Sequence, residues 1–277
     1  MQARRCLRDE VADMARLNQT ALITGATSGI GKAFAQRLAK DGYNLIITGR
    51  RKKELDELAE KLSAETGTVV KVVIAELSDE AAADELVRIA QETENLSVLV
   101  NNAGFGTTRL FHEEPVAGQA EMVKCHVLAP LKLMHAAIPG MVMAGRGTII
   151  NVSSLRAFIP GMTVATYSGT KSFLNMFSMS VAQELSGAGV KIQALCPGYT
   201  LTDFHARIGV AGAGRSRGLV RWMSADEVVD YSLRCLSKDK VICVPGAWNR
   251  FMITFSRLVP HGLLRKISPG IGGKKPQ

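Results

Sequence analysis

Short apolar runs alternate along the chain with longer stretches whose apolar residues recur every three or four positions. The runs are TALITG (20–25), YNLIITG (43–49), VVKVVIA (69–75), LSVLVNNAG (96–104), GTIINVSS (147–154), VKIQALCPG (190–198) and KVICVPG (240–246). They are rich in Ile, Val and Leu and show no polar alternation, which is the pattern of strands covered on both faces. Between them lie helical patterns near 29–41, 51–65, 79–93, 113–143, 166–187 and 225–237. Strand and helix in strict alternation predict an α/β fold: a doubly wound parallel sheet of about seven strands flanked by helices.

Two segments fall outside this alternation. Residues 4–17 place Leu7, Val11, Met14 and Ala15 on one helical face, and residues 248–259 do the same with Trp248, Phe251, Met252, Phe255, Leu258 and Val259. Pro260 should end or kink the second helix. The expected organisation is an amphipathic extension (1–19), one domain (20–246) and an amphipathic tail (247–277).

Composition narrows the class. The chain has 277 residues, of which 47% are hydrophobic, enough for a sizeable core. No uninterrupted apolar run approaches the length of a membrane span. The first twenty residues lack the apolar stretch of a secretory signal. Cys6, Cys125, Cys196, Cys235 and Cys243 are scattered and form no CxxC pair. That argues against a disulfide framework and against a metal site, and for a reducing, cytoplasmic setting. Net charge is +9, and residues 247–277 carry six basic residues and no acid. A basic tail suits a solubilising surface, an acidic carrier or peripheral contact with anionic lipid. No zinc-finger, RNA-binding or heptad pattern accompanies it, so nucleic acid is not expected as a partner.

Chemistry enters at TGATSGIG (24–31), where Gly25, Gly29 and Gly31 fall between the first strand and the first helix. Such a turn lets backbone N–H groups and a helix N-terminus approach a pyrophosphate, although it could equally be tight packing. The spacing is not that of a P-loop: Ala33 stands where a hydroxyl would hold Mg²⁺. The second strand ends in Gly49-Arg50-Arg51 with no acid. In a dinucleotide fold an acid there grips the 2′-hydroxyl of NAD, whereas arginine accommodates the 2′-phosphate of NADP. Two solvated arginines opening a helix are the alternative.

With NNAG (101–104), Ser154, YSGTK (167–171) and CPGYTLT (196–202) following in order, residues 20–246 resemble the short-chain dehydrogenase/reductase family. Within it the chain is similar to bacterial general reductases and, more distantly, to the hydroxysteroid and 3-oxoacyl reductase branches. The resemblance implies a Rossmann-type fold binding NADP(H), with Tyr167 as proton donor, Ser154 on the substrate carbonyl and Lys171 on Tyr167 and the nicotinamide ribose. A free tyrosine titrates at about 10, and a nearby ammonium should lower that value. The resemblance assigns Gly25, Thr27, Ser28, Gly29, Ile30, Gly31, Arg50 and Arg51 to the cofactor. It adds Glu76 and Leu77 near the adenine, Asn102, Ala103 and Gly104 under the adenosine, and Pro197, Gly198, Thr200 and Thr202 near the nicotinamide. Asn101 either joins this wall or links strands.

One position departs from the family pattern: His126 stands where a catalytic asparagine holds a water that connects the lysine to solvent. It would replace that asparagine in the proton relay, or be a buried, satisfied histidine. A Cys125–His126 pair is not expected, because helix neighbours do not face each other.

On the substrate side, residues 203–222 hold Gly209, Gly212, Gly214 and Gly218 and correspond to the family's mobile lid. Leu155, Phe158, Met162 and Val164 would wall the pocket, so the expected substrate is an apolar small-molecule carbonyl. The expected activity is NADPH-dependent reduction of that carbonyl by a homodimer or homotetramer. Reduction of a carrier-bound 3-oxoacyl thioester and a non-catalytic NADP-binding sensor are the alternatives.

Overall fold

The computed structural model describes residues 18–202 and 222–258. Seven strands form one sheet in the order β3-β2-β1-β4-β5-β6-β9, every neighbouring pair parallel. They are β1 (Thr20–Thr24), β2 (Asn44–Gly49), β3 (Val70–Ile74), β4 (Leu96–Asn101), β5 (Gly147–Val152), β6 (Val190–Leu195) and β9 (Ile242–Cys243). The chain order reverses between β1 and β4, which opens a crevice at the strands' carboxyl ends.

Covering helices sit on both faces, and the strand residues alternate between them. Ile23, Ile47, Val100 and Ile150 pack with Phe34 and Leu38 of α1 (Gly29–Lys40), Leu55 and Leu62 of α2 (Lys52–Thr66) and Val228 of α7 (Ala225–Leu236). Leu22, Ile46, Leu99 and Ile149 pack the other way. They meet Leu86 of α3 (Glu80–Glu92), Leu133 and Met141 of α5 (Ala129–Met143) and Val181 of α6 (Ala165–Glu184). These central strands therefore need apolar residues at successive positions, which explains the continuous runs in the sequence.

The helix expected over 113–143 begins at Val116 and is broken in the middle. α4 (Val116–Val123) passes into a π-helical turn, Lys124–Leu128, before α5. Pro130 lacks the N–H that would bond the His126 carbonyl, and the ladder widens here: Ala129 N–H bonds the Lys124 carbonyl five residues back. By length and composition alone Val116–Met143 could cross a bilayer, but Leu133, Met134 and Met141 are fully buried against the sheet.

A second, two-stranded sheet pairs β7 (Thr200–Leu201) with β8 (Met223–Ser224). It leads into α7, which Ser224 and Glu227 cap reciprocally. The helix expected at 248–259 is α8 (Ala247–Leu258). It docks through Ile253 onto Ala194, Cys196 and Val244, with Leu155 and Phe158 packed beside them. The expected helix at 4–17 and the lid near 203–222, apart from Trp222, lie outside the described residues.

Candidate active site

The glycine turn is closed by its neighbours. Gly25 has φ +67, in the left-handed region. A Cβ on Gly31 would stand 2.4 Å from both Asn102 Nδ2 and the Gly25 carbonyl oxygen. Asn102 Nδ2 donates to the carbonyls of Thr24 (2.9 Å) and Gly25 (3.0 Å). Thr24 Oγ1 accepts from the N–H groups of Asn102 and Ala103, at 2.9 and 3.0 Å. The 102–103 segment is thus bound to the turn. Ser28 occupies the N-cap of α1 without a side-chain capping bond, and the first helical turn carries no acid, an arrangement open to an anion. Thr202 lies against Gly29, and a cleft of about 310 Å³ is lined by Thr27, Ser28, Gly29, Lys32, Leu201 and Thr202.

The arginines at the end of β2 divide. Arg51 reaches across to donate to Thr27 Oγ1 and, at 3.4 Å, to Ser28 Oγ. Arg50 instead pairs with Glu76 at 3.0 Å, and Glu76 accepts from the Ser78 N–H and hydroxyl. Arg51 therefore overhangs the glycine turn, while Arg50 and Glu76 partly neutralise each other at its rim. Leu77 is buried in the core, so only its main chain is available to a ligand. Asn101 is buried and donates to Asn151 Oδ1 (2.8 Å), a link between β4 and β5.

Ser154, Tyr167 and Lys171 converge where β5 ends. Ser154 caps a short 3₁₀ turn, Leu155–Ala157, and accepts from the Arg156 N–H (3.1 Å). Its neighbour Leu155 donates to the Pro197 carbonyl (3.0 Å), tying this turn to the Pro197-Gly198 segment. Tyr167 lies in the first turn of α6 and hydrogen-bonds Ser154. One turn on, Lys171 is buried, with Nζ donating to the Val152 carbonyl at 2.8 Å and lying 5.7 Å from the Tyr167 ring centre.

The electrostatics differ from the expectation. Desolvation pushes the Tyr167 phenol above its ordinary value, and Ser154 and Arg156 oppose the rise. Burial also lowers the Lys171 ammonium to about 8, with Cys125 and Cys196 pulling it back. Desolvation is the largest cause for each group and moves both toward their neutral forms.

His126 sits in the π-helical turn and is fully buried. Its Nε2 accepts the Phe105 N–H (3.0 Å) and its Nδ1 faces Thr170 Oγ1 (3.1 Å). Both ring nitrogens thus have protein partners. Cys125 is buried as a thiol, pushed up to about 11 by desolvation, and makes no pair with it.

On the substrate side Leu155 and Phe158 border the cluster around Ile253, whereas Met162 is exposed. Asn249 of α8 presses against Gly198: a Cβ there would lie 2.6 Å from Asn249 Nδ2. Thr24, Thr170 and Asn249 were not legible as site residues. Each meets a residue remote in sequence (Asn102, His126 and Gly198 respectively), although Thr24 directly precedes the glycine turn and Thr170 lies inside YSGTK. Among the described residues no trio of His, Cys, Asp and Glu converges to hold a metal.

Comparison with known proteins bears on the family and the fold. Residues 19–211 match the family model for the short chain dehydrogenases. The chain is 36% identical over 190 residues to serine 3-dehydrogenase of Rhizobium radiobacter, covering 68% of this chain and 74% of that one. It is 30% identical over 190 residues to very-long-chain 3-oxoacyl-CoA reductase of Anas platyrhynchos, covering 67% of this chain and 61% of that protein. A short-chain dehydrogenase from Sphingobium yanoikuyae, solved in complex with NADPH, superposes with a TM-score of 0.78 at 29% identity. The match covers 94% of this chain and 100% of that one.

Proposed function

The chain belongs to the short-chain dehydrogenase family, and from that premise we propose that it reduces the carbonyl of an apolar small molecule to an alcohol with NADPH. The observation that carries this reading is the assembly of Ser154, Tyr167 and Lys171 at the carboxyl end of β5. Bound NADPH would supply the hydride. Ser154 and Tyr167 would hold the carbonyl oxygen, and the Tyr167 hydroxyl would give its proton to the oxygen as charge develops there. The phenol is in its protonated form at neutral pH, the form that a reduction needs in its acid.

Cofactor choice rests on Arg51. Its guanidinium overhangs Thr27 and Ser28, where the 2′-phosphate of NADP would lie, and β2 ends without an acid. Titration of the protein with NADPH and with NADH, followed by nucleotide fluorescence, tests the reading. Preference for NADPH together with turnover of a ketone panel supports it; binding of neither nucleotide overturns it. A second reading, reduction of a 3-oxoacyl thioester, draws on the similarity to the duck reductase. Rates on thioesters against free ketones separate the two.

For partners, the same reading takes the protein as a homodimer or homotetramer. Exposed Leu128, Leu131, Met176 and Met179 on the helical stretch 116–143 and on α6 favour pairing of copies through these helices. Mass measurement in solution, with Leu131→Asp as the disrupting variant, tests it. The exposed stripe of α8, with Phe251 54%, Phe255 44% and Leu258 78% exposed, lies within a segment, 247–277, that has six basic residues and no acid. We read it as a contact for anionic bilayer surface. Co-sedimentation with anionic but not neutral vesicles, lost in Phe251→Ser, checks this.

A further inference from the structure

We infer that His126 is a positioning residue: a single neutral tautomer brackets the loop after β4 to the first turn of the Tyr167 helix and relays no proton. The bond pattern fixes the tautomer. Because Nε2 accepts from the Phe105 N–H, it holds no hydrogen. The ring hydrogen is then on Nδ1, which donates to Thr170 Oγ1. Thr170 Oγ1 in turn donates to the Tyr167 carbonyl at 2.8 Å. The polar chain runs from the Phe105 amide through the imidazole and a hydroxyl to the backbone of the proton donor, with every donor and acceptor used in one direction.

The surroundings are built to this ring. Gly104 has no side chain where a Cβ would stand 2.8 Å from Nε2. The π-helical turn delivers His126 from a stretch that Pro130 keeps from closing as an α-helix. Phe105 and Tyr167 meet the ring edge-on, at 5.6 and 5.7 Å between centres. Burial, and after it the cation of Lys171 on α6, holds the imidazole well below its ordinary range. Tyr167 faces it from the same helix, and Cys125 flanks it in its own turn. A base with both nitrogens occupied by fixed protein partners has no lone pair or hydrogen to offer a water. It can only hold geometry: Ala103-Gly104 on one side and Tyr167 on the other.

This inference rests on the reductase reading for its kinetic part, but not for its tautomer. In histidine-¹⁵N-labelled full-length protein, the His126 ring signals, identified by their loss in His126→Asn, should show the Nδ1–H tautomer without titration between about pH 5.5 and 8.5. Titration within that window, or the opposite tautomer, overturns the inference whether or not any substrate is reduced. Kinetics then divide the two arms. An asparagine amide stands where Nδ1 stands and keeps the Thr170 bond; a glutamine amide reaches as far as Nε2 and keeps the Phe105 bond. One neutral hydrogen bond lost corresponds to about tenfold or less. His126→Asn should therefore raise KM for NADPH severalfold with kcat near the parent. His126→Gln should lower kcat severalfold with KM for NADPH near the parent, and His126→Ala should do both. Equal losses in the Asn and Gln variants, or a pH–rate limb that vanishes in all three, would make His126 a relay instead. A His126→Ala enzyme kinetically identical to the parent would also defeat the inference.

Discussion

Lys171 Nζ donates to the Val152 carbonyl, 2.8 Å away on the strand that runs into Ser154. This bond pins α6 to β5, so the tyrosine, the serine and the lysine share one rigid corner. It also fixes a buried ammonium lowered to about 8 by desolvation. Such a cation costs stability that an apolar residue of similar shape would not.

Lys171→Met should therefore fold with equal or higher Tm while losing its turnover. The sign of the pH effect follows from proton counts. Between about pH 8 and 10.5 the unfolded lysine keeps a proton that the folded one has released, so stability rises with pH across that window. The slope is at most about 1.4 kcal/mol per pH unit, and it should be missing in Lys171→Met. Denaturant melts of both proteins from pH 7.5 to 10 check this; parallel curves would mean that Lys171 is not desolvated.

Tyr167→Phe removes the hydroxyl and leaves the ring packed against His126. Loss of a positioned general acid corresponds to about 10²–10⁴-fold in rate. kcat should fall within that range, while NADPH binding by fluorescence changes little. Undiminished turnover would remove Tyr167 from the chemistry.

Arg51 and Arg50 should behave differently because Arg51, although also 3.4 Å from Glu54, bonds the glycine turn, whereas Arg50 pairs with Glu76 at its rim. A charge-assisted bond to a phosphate contributes about 1.5–3 kcal/mol. Arg51→Ala should weaken NADPH binding by about 10–100-fold and leave NADH binding nearly unchanged. Arg50→Ala should have a smaller effect. Equal losses in the two variants would place the 2′-phosphate between them.

Much of this corner is legible in the sequence because its signals are local. The strands show as apolar runs because successive residues, such as Leu22 and Ile23, face opposite helical layers. Tyr167 and Lys171 are separated by one helical turn, and the glycines punctuate one strand–helix junction. What stays hidden depends on remote partners. The two-residue strands β7 and β8 have no periodicity to detect. His126 meets Phe105 and Thr170 across 21 and 44 residues. The pKa of Tyr167 moves opposite to the charge argument because desolvation, invisible along a chain, raises it.

Gly31 gives a test of how tightly the nucleotide turn is made. In a helix interior, alanine ordinarily exceeds glycine by about 1 kcal/mol. At Gly140 of α5, where a Cβ meets nothing within 4 Å, Gly140→Ala should raise Tm by about 2–4 °C. At Gly31 the same methyl would stand 2.4 Å from the Gly25 carbonyl and from an Asn102 amide already bonded to the carbonyls of Thr24 and Gly25. Neither neighbour can yield without breaking the bonds that join the 102–103 segment to the turn. Overpacking of this kind costs about 1–3 kcal/mol, which exceeds the helical gain. Gly31→Ala should therefore lower Tm and weaken NADPH binding together. A variant as stable as Gly140→Ala, with unchanged binding, would show that the Asn102 bracket is looser than its hydrogen bonds require.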